Sequence, residues 1–182
     1  MEFNIRFRAF EKSDAFFINE LRNDDEREKK IGGSKRFVSL ERDEKWVSDI
    51  IMNDLQHVMY FAITEINSNE IIGYISISDI DYRNGTCTWN GLKLSPIMSG
   101  KGYGIQASLL LIKFIFEEMR MVRCEAECQS DHEVSLNMIQ KAGFQKEGLL
   151  RKNIFKNGQH LNTWLLSILD TDYLNIKNIY KM

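Results

Sequence analysis

The sequence predicts an α/β (α+β) fold, one mixed central β-sheet flanked by helices, and three observations carry that expectation. Three β-rich runs follow one another between residues 57 and 94, separated by turn signals, as in an antiparallel meander. The last of them leads through a glycine-rich loop into a strongly apolar helix and then another strand, a β-α-β order whose two strands should run parallel. Apolar residues make up 43% of 182 residues with a single proline, enough for one core with few breaks, so residues 1–182 read as one domain.

Taken in order, residues 4–10 (NIRFRAF) alternate as a half-buried strand, with Ile5, Phe7 and Ala9 on one face. Ser13 is placed to cap a helix over residues 14–24, whose Phe16, Phe17 and Leu21 should face the core. Residues 24–37 are charged and contain Gly32-Gly33-Ser34, a mobile connection to a second helix that begins near Ser39 and carries Trp46, Ile50 and Ile51 at helical spacing. The meander is VMYFAITEI, IIGYISISDI and TCTWNGLKL, with Asn84-Gly85 a hairpin signal between the last two. The helix that ends at Arg120 leaves a narrow polar stripe of Gln106, Lys113, Glu117 and Arg120, so most of its sides should be packed. Beyond it, VRCEAECQ reads as a strand, residues 131–142 as a helix ended by Gly143, and the tail as a hairpin turning at Lys156-Asn157-Gly158.

Composition narrows the function classes. A formal net charge of −2 and a pI near 6.0 give no general attraction to nucleic acid or anionic membranes. No apolar run is long enough to cross a bilayer. Cys87, Cys124 and Cys128 have no metal-ligand spacing and read as buried thiols in a reducing cytoplasm.

The chemistry concentrates in residues 92–120. Glycines at positions 100, 102 and 104 let the backbone take positive φ and remove side chains that would keep a bulky group away. The N–H groups of such a loop and of the first helical turn favour an anion, typically phosphate, and Lys101 adds a cation. No Lys-Ser or Lys-Thr pair closes the loop as a nucleoside-triphosphate site requires. The dinucleotide fingerprint is met only in an Ala-ended form, from Gly102 to Ala107, and after a strand that closes an antiparallel run.

Gly100-Lys101-Gly102-Tyr103-Gly104 resembles the acetyl-CoA pyrophosphate loop of the GNAT superfamily of N-acetyltransferases, with Ser99 in the place of the usual Arg or Gln. Ser135 to Phe144 (SLNMIQKAGF) is similar to the family's Ser-containing helix closing on Lys-x-Gly-Phe. Residues 144–158 and the N-terminal IRFRAFEKSD resemble the branch of ribosomal-protein N-terminal, spermidine and amino-sugar acetyltransferases. The resemblance implies a GNAT-like fold and direct acetyl transfer from acetyl-CoA, a co-substrate, with no metal. It assigns Ser99, Gly100, Lys101, Gly102, Tyr103, Gly104 and Ile105 to the pyrophosphate, and the main chain of Leu92, Lys93 and Leu94 to the pantetheine arm. His132 and Asn137 are expected near CoA, and Ser135 is the catalytic candidate that would bond its sulfur. Two further departures stand out: His132 occupies the place of a family Asn, and Ile139 that of a Tyr used as general acid.

An ammonium with a pKa of about 10 must lose a proton before it attacks, and Glu125, Glu127, Asp79 and Asp81 are the candidate bases. The acidic run Asp24-Asp25-Glu26-Arg27-Glu28 suits a cationic acceptor, while Lys29, Lys30, Lys35 and Arg36 suit a phosphate. The acceptor is therefore expected to be the amine of a peptide N-terminus, a polyamine or a related small molecule. An amino-sugar nucleotide, or CoA binding without turnover, is the alternative. An exposed strand edge and the family resemblance leave room for a homodimer.

Overall fold

A computed structural model describes residues 2–24, 37–52 and 57–182. Its sheet has seven strands, β1 (Ile5–Arg8), β2 (Val58–Glu65), β3 (Ile71–Asp81), β4 (Thr86–Leu94), β5 (Arg123–Gln129), β6 (Gln145–Lys156) and β7 (Gln159–Leu169). The helices are α1 (Asp14–Arg22), α2 (Leu40–Met52), α3 (Tyr103–Lys113), α4 (Glu133–Lys141) and α5 (Asp170–Tyr180). The strand order is β1-β2-β3-β4-β5-β7-β6, and every neighbouring pair is antiparallel except β4 with β5. That single parallel pair is the one expected from the intervening helix.

The two faces of the sheet are covered by different helices, because successive strand side chains point to opposite sides. Ile63, Ile75 and Ile77 pack with Leu109, Ile112 and Ile139 in one cluster, from α3 and α4. Ala62 and Tyr74 pack with Ile18, Leu21 and Val47 in the other, from α1 and α2. An ion pair secures the α1 end: Arg8 donates to both oxygens of Asp14 at 2.8 Å, and Asp14, almost wholly buried, also accepts from the Glu11 N–H.

Several expectations change. Phe16 is 60% exposed, because α1 turns Ala15, Ile18 and Leu21 inward instead, and Ser13 makes no side-chain cap. Ile51 also lies outward, and Val47 takes the buried position of α2. Gln106, assigned to a polar stripe, is buried because its side-chain oxygen accepts from the Asn4 N–H at 2.7 Å. α3 does not run evenly to Arg120 but widens into a π-turn over Phe114–Glu118. The tail ends in α5, which the strand pattern did not anticipate; Tyr173 is buried against the sheet and Asp172 caps the Leu169 N–H. The hairpin at Asn157-Gly158 forms as expected, both residues having positive φ. Asp25, Glu26, Glu28 and the basic residues Lys29, Lys30, Lys35 and Arg36 lie outside the described residues.

Candidate active site

The parallel pairing of β4 and β5 is short. Thr86 to Trp89 pair with Arg123 to Ala126, and beyond that point the strands separate, β4 following β3 and β5 following β7. The cause lies in Asn90-Gly91. Ile75 and Ile77 of β3 face Leu92 and Trp89, so β4 holds one residue more than its partner there, and Gly91 takes φ +102°. Such a bulge bends a strand and re-aims it. An Asn-Gly pair inside a strand is a bulge signal that the sequence carried.

The separation leaves the β4 main chain from Asn90 to Leu94 with no strand partner on its β5 side among the described residues. Between the strands lies a cleft of about 520 Å³ lined by Leu92, Lys93, Cys128, Gln129, His132 and Ser135 among others. Within its walls, Trp89 Nε1 and Gln129 Nε2 are buried donors with no acceptor among the described residues. Buried donors normally find a partner. Such donors, beside an unpaired strand edge, fit an amide-rich ligand lying along β4.

The glycine loop continues from the same strand. Ser95 is tied to Ile72 by a 2.8 Å bond, Pro96–Met98 form a 3-10 turn, and Gly102 is the N-cap of α3. Gly100 and Gly102 have φ +78° and +76°, and a Cβ on either would meet nothing within 4 Å. Their conformation favours glycine, and the space above them is open. Gln106 closes the first helical bond on the Gly102 carbonyl, which leaves the N–H groups of Tyr103, Gly104 and Ile105 ahead of it at the positive end of the helix. Open N–H groups at a helix N-terminus favour an anion, typically a phosphate.

The side chains of the loop have separate duties. Tyr103 donates to Glu65 at 2.6 Å, a bond that raises its pKa and pins the start of α3 to β2. Gly104 has a packing role, since a Cβ there would stand 2.8 Å from Met138 Sδ. Ile105 and Leu94 pack against the core, so their side chains are committed to it. Lys101 lies 3.4 Å from Met98 Sδ, exposed beside the loop, and Ser99 is exposed.

On α4 the expectations divide. His132, the N-cap, and Ser135 both line the cleft. Asn137 is exposed and does not line it, and Ile139, where the general-acid Tyr would stand, is buried in the core. Cys128, read from the sequence as a buried thiol, also lines the cleft; burial pushes its thiol up, partly opposed by its hydrogen bond with Ser135. Of the four candidate bases, Asp81 is committed to the turn, accepting from the N–H groups of Arg83 and Asn84 and from the Asn84 side chain. Glu125 is paired with Arg123 at 2.9 Å. Asp79 and Glu127 line the cleft. Glu127 Oε2 accepts from Asn153 and Thr163, and Asp79, at φ +49°, sits on a second bulge.

A second cavity of about 330 Å³ opens on the α1–α2 side of the sheet. Arg22, Arg42, Trp46, Tyr60 and Tyr74 line it, and it shares Asn90, Gly91 and Lys93 with the cleft. The bulge is thus a common wall. These residues come from five elements and make no local pattern, which is why sequence spacing did not reveal them. Trp46 meets Tyr60 edge-on at 5.2 Å, and burial raises the pKa of Tyr60. Among the described residues no three metal-ligating side chains come together, and no helix is long and apolar enough to cross a membrane.

Residues 4–145 match the model of the acetyltransferase (GNAT) domain. The chain is 31% identical over 113 residues to the probable N-acetyltransferase YjcK of Bacillus subtilis, an alignment that spans 62% of either protein. It is 28% identical over 157 residues to the SPbeta prophage-derived uncharacterized N-acetyltransferase YokL of the same species, covering 86% of this chain and 85% of that one. The crystal structure of spermidine N-acetyltransferase from Vibrio cholerae in complex with CoA and spermine superposes with a TM-score of 0.84 at 20% identity, over 94% of this chain and 99% of that one.

Proposed function

The chain belongs to the GNAT acetyltransferase family, and from that premise we propose that it transfers the acetyl group of acetyl-CoA directly to a primary amine of a peptide N-terminus, polyamine or related small molecule. The observation that carries this is the shared wall at Asn90-Gly91: a cleft suited to the thioester meets, across one bulge, a cavity suited to the acceptor. Direct transfer needs the two reactants to meet at one point in a fixed geometry. Relatives named as spermidine acetyltransferases support a polyamine as one acceptor to try.

Acetyl-CoA supplies an activated acyl group on a thiolate leaving group. The amides of residues 100–105 hold the pyrophosphate, with Lys101 adding charge beside it. The main chain of Leu92, Lys93 and Leu94 pairs with the pantetheine amides as a neighbouring strand would. A backbone N–H at the bulge, near Leu92, faces the thioester carbonyl and stabilises negative charge on its oxygen. Glu127 or Asp79 takes the proton of the incoming ammonium, directly or through water. Glu127 is held by Asn153 and Thr163 through Oε2, while Oε1 has no protein partner among the described residues. Ser135 bonds the departing sulfur; no Tyr at position 139 can do so, because Ile139 is core.

The test follows free thiol released from acetyl-CoA against a panel of peptide N-termini, polyamines, amino acids and amino-sugar nucleotides. Amine-dependent release with at least one class is expected. Tight acetyl-CoA binding with no release across the panel would overturn the transferase reading in favour of a CoA-binding module.

A further inference from the structure

We infer that the acceptor carries a carboxylate or phosphate beside its reactive amine, and that Arg42 and Lys93 select for it; this rests on the transferase reading above. The cavity on the α1–α2 side is lined by three cations, Arg22, Arg42 and Lys93. Among the described residues only Arg22 has an anionic partner: it lies 3.1 Å from Asp43, a residue with no exposed surface. Arg42 and Lys93 make no ion pair with any described carboxylate, so among the described residues their two positive charges stand uncompensated. No carboxylate is among its described lining residues.

The aromatic walls do not reverse this preference. Trp46, Tyr60 and Tyr74 would suit an ammonium if their faces were open, since a cation is drawn to an aromatic face. Two of those faces already hold the protein's own cations. Arg22 sits 4.5 Å from the Trp46 ring centre, and Lys93 Nζ sits 5.3 Å from that of Tyr74. A polyamine entering here would bring its distal ammonium groups against Arg42 and Lys93, with the Trp46 and Tyr74 rings already engaged by Arg22 and Lys93. An acceptor with an anion a few bonds from its amine would instead place the anion between those side chains. Its nitrogen then reaches the bulge, because Lys93 and Asn90-Gly91 belong to both cavities. Arg42 and Lys93 thereby act as specificity residues for the acceptor, separate from the main-chain contacts of β4.

The experiment measures kcat/KM by thiol release for two matched pairs, 4-aminobutyrate against 4-aminobutyramide and 2-aminoethyl phosphate against ethanolamine, with spermidine alongside. The carboxylate pair and the phosphate pair report separately which anion is read. The anionic member of at least one pair should be favoured about tenfold or more, and over spermidine by at least as much. Arg42→Glu should abolish or reverse that preference, while the acetyl-CoA dissociation constant, measured by calorimetry, stays within twofold. If spermidine and the neutral amines are turned over faster than the anionic ones, or if Arg42→Glu leaves the ratios unchanged, the inference falls and the transferase reading stands. If no amine of any class releases thiol, both fall.

Discussion

Gly102→Asp puts the phosphate site to its most direct test. Position 102 has φ +76° and ψ 7°, and a Cβ there would meet nothing within 4 Å, so a side chain is accommodated without collision. The folding cost is that of a left-handed backbone, about 1–2 kcal/mol for an ordinary residue and less for Asp or Asn, which visit this region readily. For a chain of this size that lowers Tm by less than about 8 °C. The binding cost is electrostatic. With the carboxylate about 6 Å from the diphosphate and an effective dielectric constant of about 40, between surface and bulk values, each opposed charge contributes about 1.4 kcal/mol. Two such charges make about 3 kcal/mol, roughly a hundredfold in the dissociation constant. Gly102→Asn is the control, having the same shape and backbone demand without the charge, and should lose only a few-fold. Titration calorimetry with acetyl-CoA at low and high salt measures both variants, and the gap between them should narrow as salt screens the repulsion. Equal affinity of the Asp and Asn variants, within twofold, would show that no phosphate lies beside Gly102.

Other perturbations reach the site through its frame. Gly73→Ala would set a methyl 2.4 Å from the Lys93 carbonyl oxygen and 2.6 Å from Leu94 Cδ2, so β4 must move away from β3. A loss of about 1–3 kcal/mol is expected, together with weakened acetyl-CoA binding; Gly148→Ala, with open space around it, should change neither in the same thermal and binding assays. Arg8→Ala leaves the buried Asp14 carboxylate without its bidentate partner. It should cost about 3–5 kcal/mol, a fall of roughly 6–20 °C in Tm, and a fall below 2 °C would mean that the pair contributes little.

Elements whose signals are local were legible in the amino-acid pattern. The meander, the parallel pair around α3, the glycine loop and the Asn157-Gly158 turn each depend on a few neighbouring residues, and each forms as expected except that Gly104, unlike Gly100 and Gly102, lies in the helix without a positive φ. Where a competing contact decides the outcome, pattern alone was insufficient. Gln106 reads as surface until Asn4, about a hundred positions earlier, supplies an N–H for it. α5 has only Tyr173 fully inside, with Ile176 against Gly143, so its apolar face is too thin to stand out. The cleft shows the same division. Loop glycines and β4 are contiguous and readable, whereas Cys128, Gln129 and the aromatic and cationic walls of the cavity on the α1–α2 side meet only when the sheet is assembled.

The separation of β4 from β5 would be a liability in most sheets, because a bare strand edge invites pairing with another chain. Here each strand loses a partner on one side only. β4 keeps β3 as far as Leu94, and β5 keeps β7 as far as Gln129, so half of each strand's hydrogen-bonding groups stay paired inside the domain. The unpaired halves both border the cleft, and His132 and Ser135 of α4 line it as well. An intruding strand would need room for side chains on both faces of the sheet. A slender, amide-bearing arm needs only the backbone groups. The bulge that opens the cleft therefore also filters what can complete it, and the same residue pair gives the cavity on the α1–α2 side its inner wall.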